Sequence, residues 1–350
     1  MTPESKINIR ELDPIALKTA FTEFNEPSYR AKQVYDWLWT KNAAEFSNMT
    51  NLPKDLISKL EAVYFIPVLK DHRVQISTDG TIKNAFKLHD DQVIEGVLIP
   101  QKKRMTACIS SQVGCSLTCK FCATGQMKLN RNLSAFEMYD QVVRLNQQAL
   151  DNYERHLSNV VYMGMGEPLL NYKEMLRSTE MLISKEGMGM SPKRITVSTA
   201  GIAKMIRRLG DDKVKFQLAL SLHAANDKKR NSIMPINESN NLEVLSESLV
   251  YFQEKTGTRV TFEYILLQGL NDDLADAKEL AEFCKAVACK INLIEYNPIQ
   301  GAHFKKSRND KLDAFSEYLE SKNLVVNVRR NRGKDIDAAC GQLANKGVKS

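Results

Sequence analysis

The chain has 350 residues, 43% hydrophobic and 26% charged, the proportions of a globular protein with room for one α/β domain and a smaller neighbour. No run of about 18 apolar residues occurs, which excludes a membrane-spanning helix, and Met1-Thr-Pro-Glu-Ser-Lys opens into polar sequence without a signal peptide, so the expected location is the cytoplasm. A net charge of +7 leans toward a polyanionic partner, although basic enzymes with small substrates share it, and seven cysteines suit metal ligands and reactive thiols in a reducing compartment.

Residues 1–72 read as a helical accessory domain. Ala31, Val34, Tyr35 and Leu38 form one apolar stripe at helical spacing, and Leu56, Ile57, Leu60 and Val63 form a second after Leu52-Pro53. Such a module either binds RNA through its basic edges or caps the main domain. Across 73–100 the period changes to two. Arg73-Val-Gln-Ile-Ser-Thr, Lys83-Asn-Ala-Phe-Lys-Leu and Gln92-Val-Ile-Glu-Gly-Val-Leu-Ile predict an antiparallel β extension turning at Asp79-Gly80. Glu95 lies inside the last strand, where alternation places it on the solvent face unless it aims into a site.

A core over 101–331 follows, with predicted strands at Thr106–Ser110, Asn159–Met163, Arg194–Ser198, Lys215–Ser221, Arg259–Leu266 and Lys290–Tyr296. Helical stretches separate them, the first opening on a capping box, Ser134-Ala-Phe-Glu137. Six βα units imply an α/β fold with a parallel sheet curled into a partial (βα)6 barrel, a doubly wound sheet being the competing architecture. Residues 332–350 form a C-terminal segment.

The chemistry centres on Cys115, Cys119 and Cys122, a C-x3-C-x2-C array. Three thiolates so close suit zinc, copper(I) or an iron–sulfur cluster. Zinc normally takes four protein ligands, and neither a second cysteine pair nor a nearby histidine is present. Three ligands on a cluster leave one iron open. The other predicted strands end in polar turns where α/β folds gather ligands: Met163-Gly-Met-Gly-Glu-Pro168, Ser198-Thr-Ala-Gly201, Ser221-Leu-His223 and Tyr296-Asn297-Pro298. The glycines would let backbone amides approach a ligand, and Glu167 offers an acceptor for an ammonium or a ribose hydroxyl. Cys108 and Cys340 stand apart from the triad and, at the mouth of one barrel, would suit a carrier thiol and a resolving thiol. Cys284 and Cys289 read as core residues of a helix-like stretch.

Taken together, the triad with Phe121, MGMGEPLLN, the Ser198 and Ser221-Leu-His223 turns, Tyr296-Asn297-Pro298 and DIDAACGQL resemble the RlmN/Cfr family of radical S-adenosylmethionine RNA methyltransferases. The resemblance implies a radical SAM barrel, one [4Fe–4S] cluster on Cys115, Cys119 and Cys122, and S-adenosylmethionine held by Gly166, Glu167, Ser198, Ser221, Leu222, His223 and Asn297. Two S-adenosylmethionine molecules would be consumed per methylation. It further implies Cys340 as methyl carrier, Cys108 as resolving thiol through a disulfide with Cys340, and Glu95 as proton acceptor, against the solvent-face reading. The implied product is a C2-methylated adenosine in 23S rRNA and in tRNA, with a flavodoxin-like electron donor; Gly166-Glu-Pro168 and the Arg-Gly-Lys-Asp-Ile-Asp run look closer to these enzymes than to the C8-methylating sister group. Arg329, Arg330, Arg332 and Lys334 would hold RNA phosphates near Cys340, or else form a solvated basic turn. A non-catalytic metal-containing RNA-binding protein and a radical enzyme acting on a small molecule are the other readings of the cysteines and charge.

Overall fold

The computed structural model describes residues 6–345; Met1–Ser5, part of the stretch read for a leader, and residues 346–350 lie outside the described residues. The N-terminal stripes fold into α1 (Pro14–Glu23), α2 (Ser28–Trp39) and α3 (Lys54–Val63), framed by a short parallel pair, β1 (Ile7–Asn8) and β2 (Tyr64–Phe65). Asp13 caps α1 by accepting from the Ile15 and Ala16 amides at 2.9 and 2.7 Å. Ala31, Val34 and Leu38 are buried against Leu56 and Leu60 in a core that continues into the main domain.

Next come β3 (Lys70–Ile76), β4 (Ile82–Lys87) and β5 (Val93–Pro100), the expected antiparallel meander. It does not stand apart, because β5 pairs with β6 (Met105–Cys108) and so joins a ten-stranded sheet. After the short β7 (Gln112–Val113) and β8 (Arg131–Asn132), α4 (Ala135–Tyr153) starts at the predicted capping box, with the Ser134 amide donating to Glu137 at 2.9 Å. Arg10 fastens the N-terminal helices to α4: it pairs with Asp140 at 2.6 Å and lies 4.3 Å over the Trp39 ring.

The rest alternates: β9 (Asn159–Tyr162), α5 (Tyr172–Ile183), β10 (Ile195–Thr199), α6 (Ala203–Asp211), β11 (Gln217–Ser221), α7 (Asp227–Ile233), α8 (Leu242–Thr256), β12 (Val260–Leu266), α9 (Leu274–Phe283), β13 (Cys289–Glu295), α10 (Asn309–Ser321) and β14 (Val326–Arg329). From β6 through β9 to β14 the parallel strands neighbour one another in chain order. Every crossover therefore advances the same way, which puts the helices on one face and curls the sheet. A doubly wound sheet would reverse its order at a switch point, and this one does not. The barrel stays open, with β3 and β14 as unpaired edges. β14 is a seventh parallel strand that periodicity overlooks: it is four residues long, on an edge and mostly exposed, so it lacks the apolar run of its neighbours. Among the described residues, no helix is long and apolar enough to cross a membrane.

Candidate active site

The carboxyl ends of the parallel strands and the cysteine loop enclose a cavity of about 1010 Å³, counting its open mouth. Cys115, Cys119 and Cys122 line one side, and Gly164, Gly166 and Glu167 follow β9 on another. Ser198 and Ala200 come from β10, Ser221 and His223 from β11, Glu263 and Ile265 from β12, and Cys340 and Leu343 from the tail. The cysteine loop is fixed by its backbone. Lys120 donates to Ile233 O at 2.9 Å, Cys122 to Cys119 O at 3.2 Å, and Ala123 to Gly341 O at 2.7 Å. Phe121 meets His223 edge to face at 4.7 Å.

Glu167 is buried and accepts from the Ala200 and Leu169 amides at 2.7 and 3.0 Å. Burial pushes its carboxyl up to about 7 against these donors. Among the described residues it makes no ion pair, so the cavity holds a carboxylate lacking a counter-charge. His223 takes a left-handed φ of 58° and accepts from the Ile265 amide at Nδ1, 3.1 Å away. Burial, with Arg230 nearby, holds it down to about 3, so it is neutral with its proton on Nε2. The Ser198 and Ser221 hydroxyls lie 3.4 Å apart. Leu222 and Asn297 are outside the lining: the Leu222 side chain is in the core, and the Asn297 amide donates to Cys340 O at 3.3 Å. The glycines serve close packing first. A Cβ on Gly164 would stand 2.7 Å from the Ile109 carbonyl, and one on Gly166, where φ is 96°, 2.5 Å from Gln112 Cβ.

Glu95 is not on a solvent face; it is 2% exposed. Alternation fails here because the C-terminal tail covers that face of the meander, placing the Ala344 amide 2.8 Å from Glu95 Oε2. Cys108 ends β6 and is buried, and burial with Cys340 nearby pushes its thiol up to about 12. Cys340 is surrounded by protein yet open to the cavity; burial raises its thiol, and Arg329 opposes that rise. The basic run is partly committed within the chain. Arg332 donates to the Asp79 and Pro100 carbonyls at 3.0 and 2.7 Å, so it ties the tail down rather than facing RNA. Arg329 lies 3.4 Å from Glu263, and Lys334 3.4 Å from Glu295. Cys284 is buried as expected, but Cys289 starts β13 rather than continuing a helix.

Residues 7–66 match the Ribosomal RNA large subunit methyltransferase N-terminal domain family, and residues 109–284 match the Radical SAM superfamily. A probable dual-specificity RNA methyltransferase RlmN from Cytophaga hutchinsonii is 58% identical over 97% of this chain and 93% of its own. Another from Christiangramia forsetii is 50% identical over 98% and 97%. The chain belongs to the RlmN family of radical SAM RNA methyltransferases. The crystal structure of a radical SAM methyltransferase from Sphaerobacter thermophilus superposes with a TM-score of 0.90 at 40% identity, covering 96% of this chain and 99% of that one.

Membership of the RlmN family implies a [4Fe–4S] cluster and S-adenosylmethionine, and the residues present fit both. Burial pushes the Cys115 thiol up to about 11 and raises Cys119 and Cys122 as well, so their thiolates need a bound cation to form. Among the described residues, no three His, Cys, Asp or Glu side chains are arranged to hold a single metal ion. Three cysteines along one side of the cavity suit a polynuclear centre whose irons each take one thiolate. The uncompensated Glu167 carboxylate suits an ammonium-bearing ligand.

Sequence reasoning missed Glu263 and Arg230. Glu263 interrupts an otherwise apolar strand and lines the cavity beside Cys340's neighbour Arg329; an acid inside Val-Thr-Phe-Glu-Tyr-Ile-Leu was the available signal. Arg230 is fully buried and ties the β10 and β11 turns together by donating to the Ala200, Leu222 and Ser221 carbonyls at 2.6, 3.0 and 3.3 Å. Nothing in Asp-Lys-Lys-Arg-Asn-Ser distinguishes it from a surface cation.

Proposed function

We propose that this chain methylates C2 of an adenosine in 23S rRNA, and of an adenosine in tRNA as second substrate, through an S-methylcysteine at Cys340. One observation carries the reading: Cys340, remote in sequence, shares a cavity with the cysteine triad and the polar strand ends. The curated relatives named for dual specificity support the pair of RNA substrates.

In this reading Cys115, Cys119 and Cys122 hold the cluster, Gly166, Glu167, Ser198, Ser221 and His223 line the S-adenosylmethionine site, and Leu222 and Asn297, expected there from sequence, support it from behind the lining. Two bound S-adenosylmethionine molecules would supply one methyl group and one 5′-deoxyadenosyl radical. Adenine C2 has no lone pair for a sulfonium methyl, so direct transfer has nothing to attack it and radical chemistry is required. Cys340 Sγ carries the carbon to the base. The S-methylene radical on Cys340 adds to C2, and Glu95 takes the C2 proton as the radical adduct sheds one electron, which would return to the cluster when bound. Cys108 Sγ then attacks Cys340 Sγ; the S–C bond breaks, its electron pair and a proton complete the methyl group, and the two thiols leave as a disulfide for later reduction. The target base must leave its stack to enter a cavity this enclosed. Residues 1–72 would contribute RNA binding to the 101–331 core, the 73–100 strands would seat the 332–350 segment, and a flavodoxin-like cytoplasmic donor would supply electrons.

The test is anaerobic cluster reconstitution and turnover on a 23S rRNA fragment, with nucleoside mass spectrometry. The expected product is 2-methyladenosine from wild type and none from Cys340→Ala. Formation of 8-methyladenosine, or normal turnover by Cys340→Ala, would overturn the reading.

A further inference from the structure

The cover over Glu95 is organised by a residue that neither the motifs nor the reaction singles out. β4 and β5 pair with Lys83 opposite Val97 and Ala85 opposite Glu95, which makes Lys83 and Glu95 diagonal neighbours on one sheet face. Lys83 Nζ lies 2.8 Å from Glu95 Oε1, and the two residues are 3% and 2% exposed. The same ammonium donates to the Asp337 carbonyl at 3.2 Å, three residues before Cys340. The other carboxylate oxygen, Oε2, accepts the Ala344 amide at 2.8 Å, four residues after Cys340. One buried ion pair therefore grips both flanks of the Cys340 turn.

Net stability does not account for the pair. Desolvating two charges offsets most of their attraction, and packed apolar side chains of similar volume would serve stability as well. What they could not replace is direction: a cation aimed at one carbonyl and a carboxylate aimed at one amide, with Cys340 between them. We propose that Lys83 is a positioning residue that seats the Cys340 segment over the cysteine triad, through the Asp337 carbonyl directly and through Glu95 and the Ala344 amide. The inference rests on reading Cys340 as the methyl carrier. It also gives Glu95 two states. Leu343 lines the cavity and Glu95 does not, so the 343–344 stretch must shift before Glu95 meets a base, and Lys83 keeps that carboxylate oriented when it does.

The experiment uses the reconstituted full-length holoenzyme, wild type against Lys83→Met, with iron content and melting temperature as fold controls. Hydrogen exchange of the Ala344 amide and alkylation of Cys340 by iodoacetamide report the seat; kcat and KM on the 23S rRNA fragment report its use. Losing one grip of this strength is expected to speed Ala344 exchange and Cys340 alkylation by about tenfold, and to lower kcat by a similar factor with KM for RNA unchanged. The remaining tail contacts, Ala123 to Gly341 O and Thr124 to Leu343 O, limit the effect. Should Lys83→Met fail to fold, the charge-neutral pair Lys83→Met/Glu95→Gln keeps the site filled, and the same acceleration is expected. Wild-type exchange and alkylation rates in the folded variant would overturn the proposal, as would a loosened seat with unchanged kcat. Failure of the carrier reading would instead show as turnover by Cys340→Ala.

Discussion

The two segments that bring sulfur to the cavity are held in opposite ways. The triad loop is local: its three thiols come within eight residues, and a Cys122 to Cys119 backbone bond at 3.2 Å shapes it from inside. The tail has almost no structure of its own. Beyond its contacts with the triad loop and Asn297, its anchors lie on the meander about 250 positions away in sequence: Gly333 N donates to Asp79 at 2.9 Å, Asp335 accepts from Ser77 Oγ at 2.5 Å, Lys83 holds the Asp337 carbonyl, and Asn345 donates to Val93 O at 2.7 Å. A contiguous loop defines a metal site wherever it is placed, whereas a segment held by a borrowed sheet face can leave it. The first property suits a permanent centre and the second suits the proposed carrier role of Cys340, which would visit a cofactor and then a base.

The sharpest way to break this contrast is to remove sulfur from each segment. Cys119→Ala should abolish iron binding and, with it, all S-adenosylmethionine cleavage. Cys340→Ala should keep iron and S-adenosylmethionine cleavage yet lose RNA methylation by about a thousandfold or more. Iron analysis, 5′-deoxyadenosine quantification and product mass spectrometry separate the two, and loss of iron in Cys340→Ala would show that the tail belongs to the metal site after all. Next in size is the resolving step. Cys108→Ala should trap RNA on the protein, visible as a slow band on a denaturing gel. Because burial pushes the Cys108 thiol up to about 12, its thiolate is scarce near neutrality, and in wild type the decay of that adduct should quicken about tenfold per pH unit up to that value. A flat profile between about pH 7 and pH 9 would remove Cys108 from the step.

How much of this was legible follows the same division. The triad, the Gly-Glu-Pro turn and Ser221-Leu-His223 declare themselves because each function is carried by residues adjacent in the chain, and sequential strand order brings those turns to one edge. Glu95 does not. Period two assigns it to solvent, and only the tail, folded across the meander from the far end of the chain, makes that face interior. Lys83 is hidden for the same reason, since a lysine alternating along a strand is ordinarily a solvated one. The glycines of Met-Gly-Met-Gly were legible as necessary, but the pattern could not say that Ile109 and Gln112 were what pressed against them.

A milder perturbation loosens the tail at its entry. Asp79 is buried enough to raise its carboxyl, yet Thr81, the Gly333 amide and Arg332 together lower it to about 2. A depressed carboxyl contributes stability above its unfolded value, 3.8, and loses it as the pH falls toward 2. Asp79→Asn should therefore speed exchange of the Gly333 amide and lower methylation a few-fold, with a melting temperature within a few degrees of wild type at neutral pH and a smaller decline in acid. An unchanged exchange rate at Gly333 would mean that Arg332 alone holds the entry.

The smallest effect is expected at the basic run ahead of Cys340. Glu295 is gripped by Lys306 at 3.0 Å, Lys334 at 3.4 Å and Arg330 at 3.9 Å, so three cations surround one carboxylate and a positive surplus remains. Arg330 has the most exposed side chain of the three, 76% against 56% for Lys334 and 40% for Lys306, and at 3.9 Å its hold on Glu295 is the loosest. A phosphate approaching the cavity mouth can recruit it with little loss inside the protein, which Arg332, committed to Asp79 and Pro100, cannot match. Arg330→Ala should therefore weaken RNA binding a few-fold at low salt, reduce the slope of log affinity against log salt by about 0.7 to 0.9, and leave kcat unchanged. An equal loss at every salt concentration would assign Arg330 to the tail's internal scaffold and move the RNA contact elsewhere.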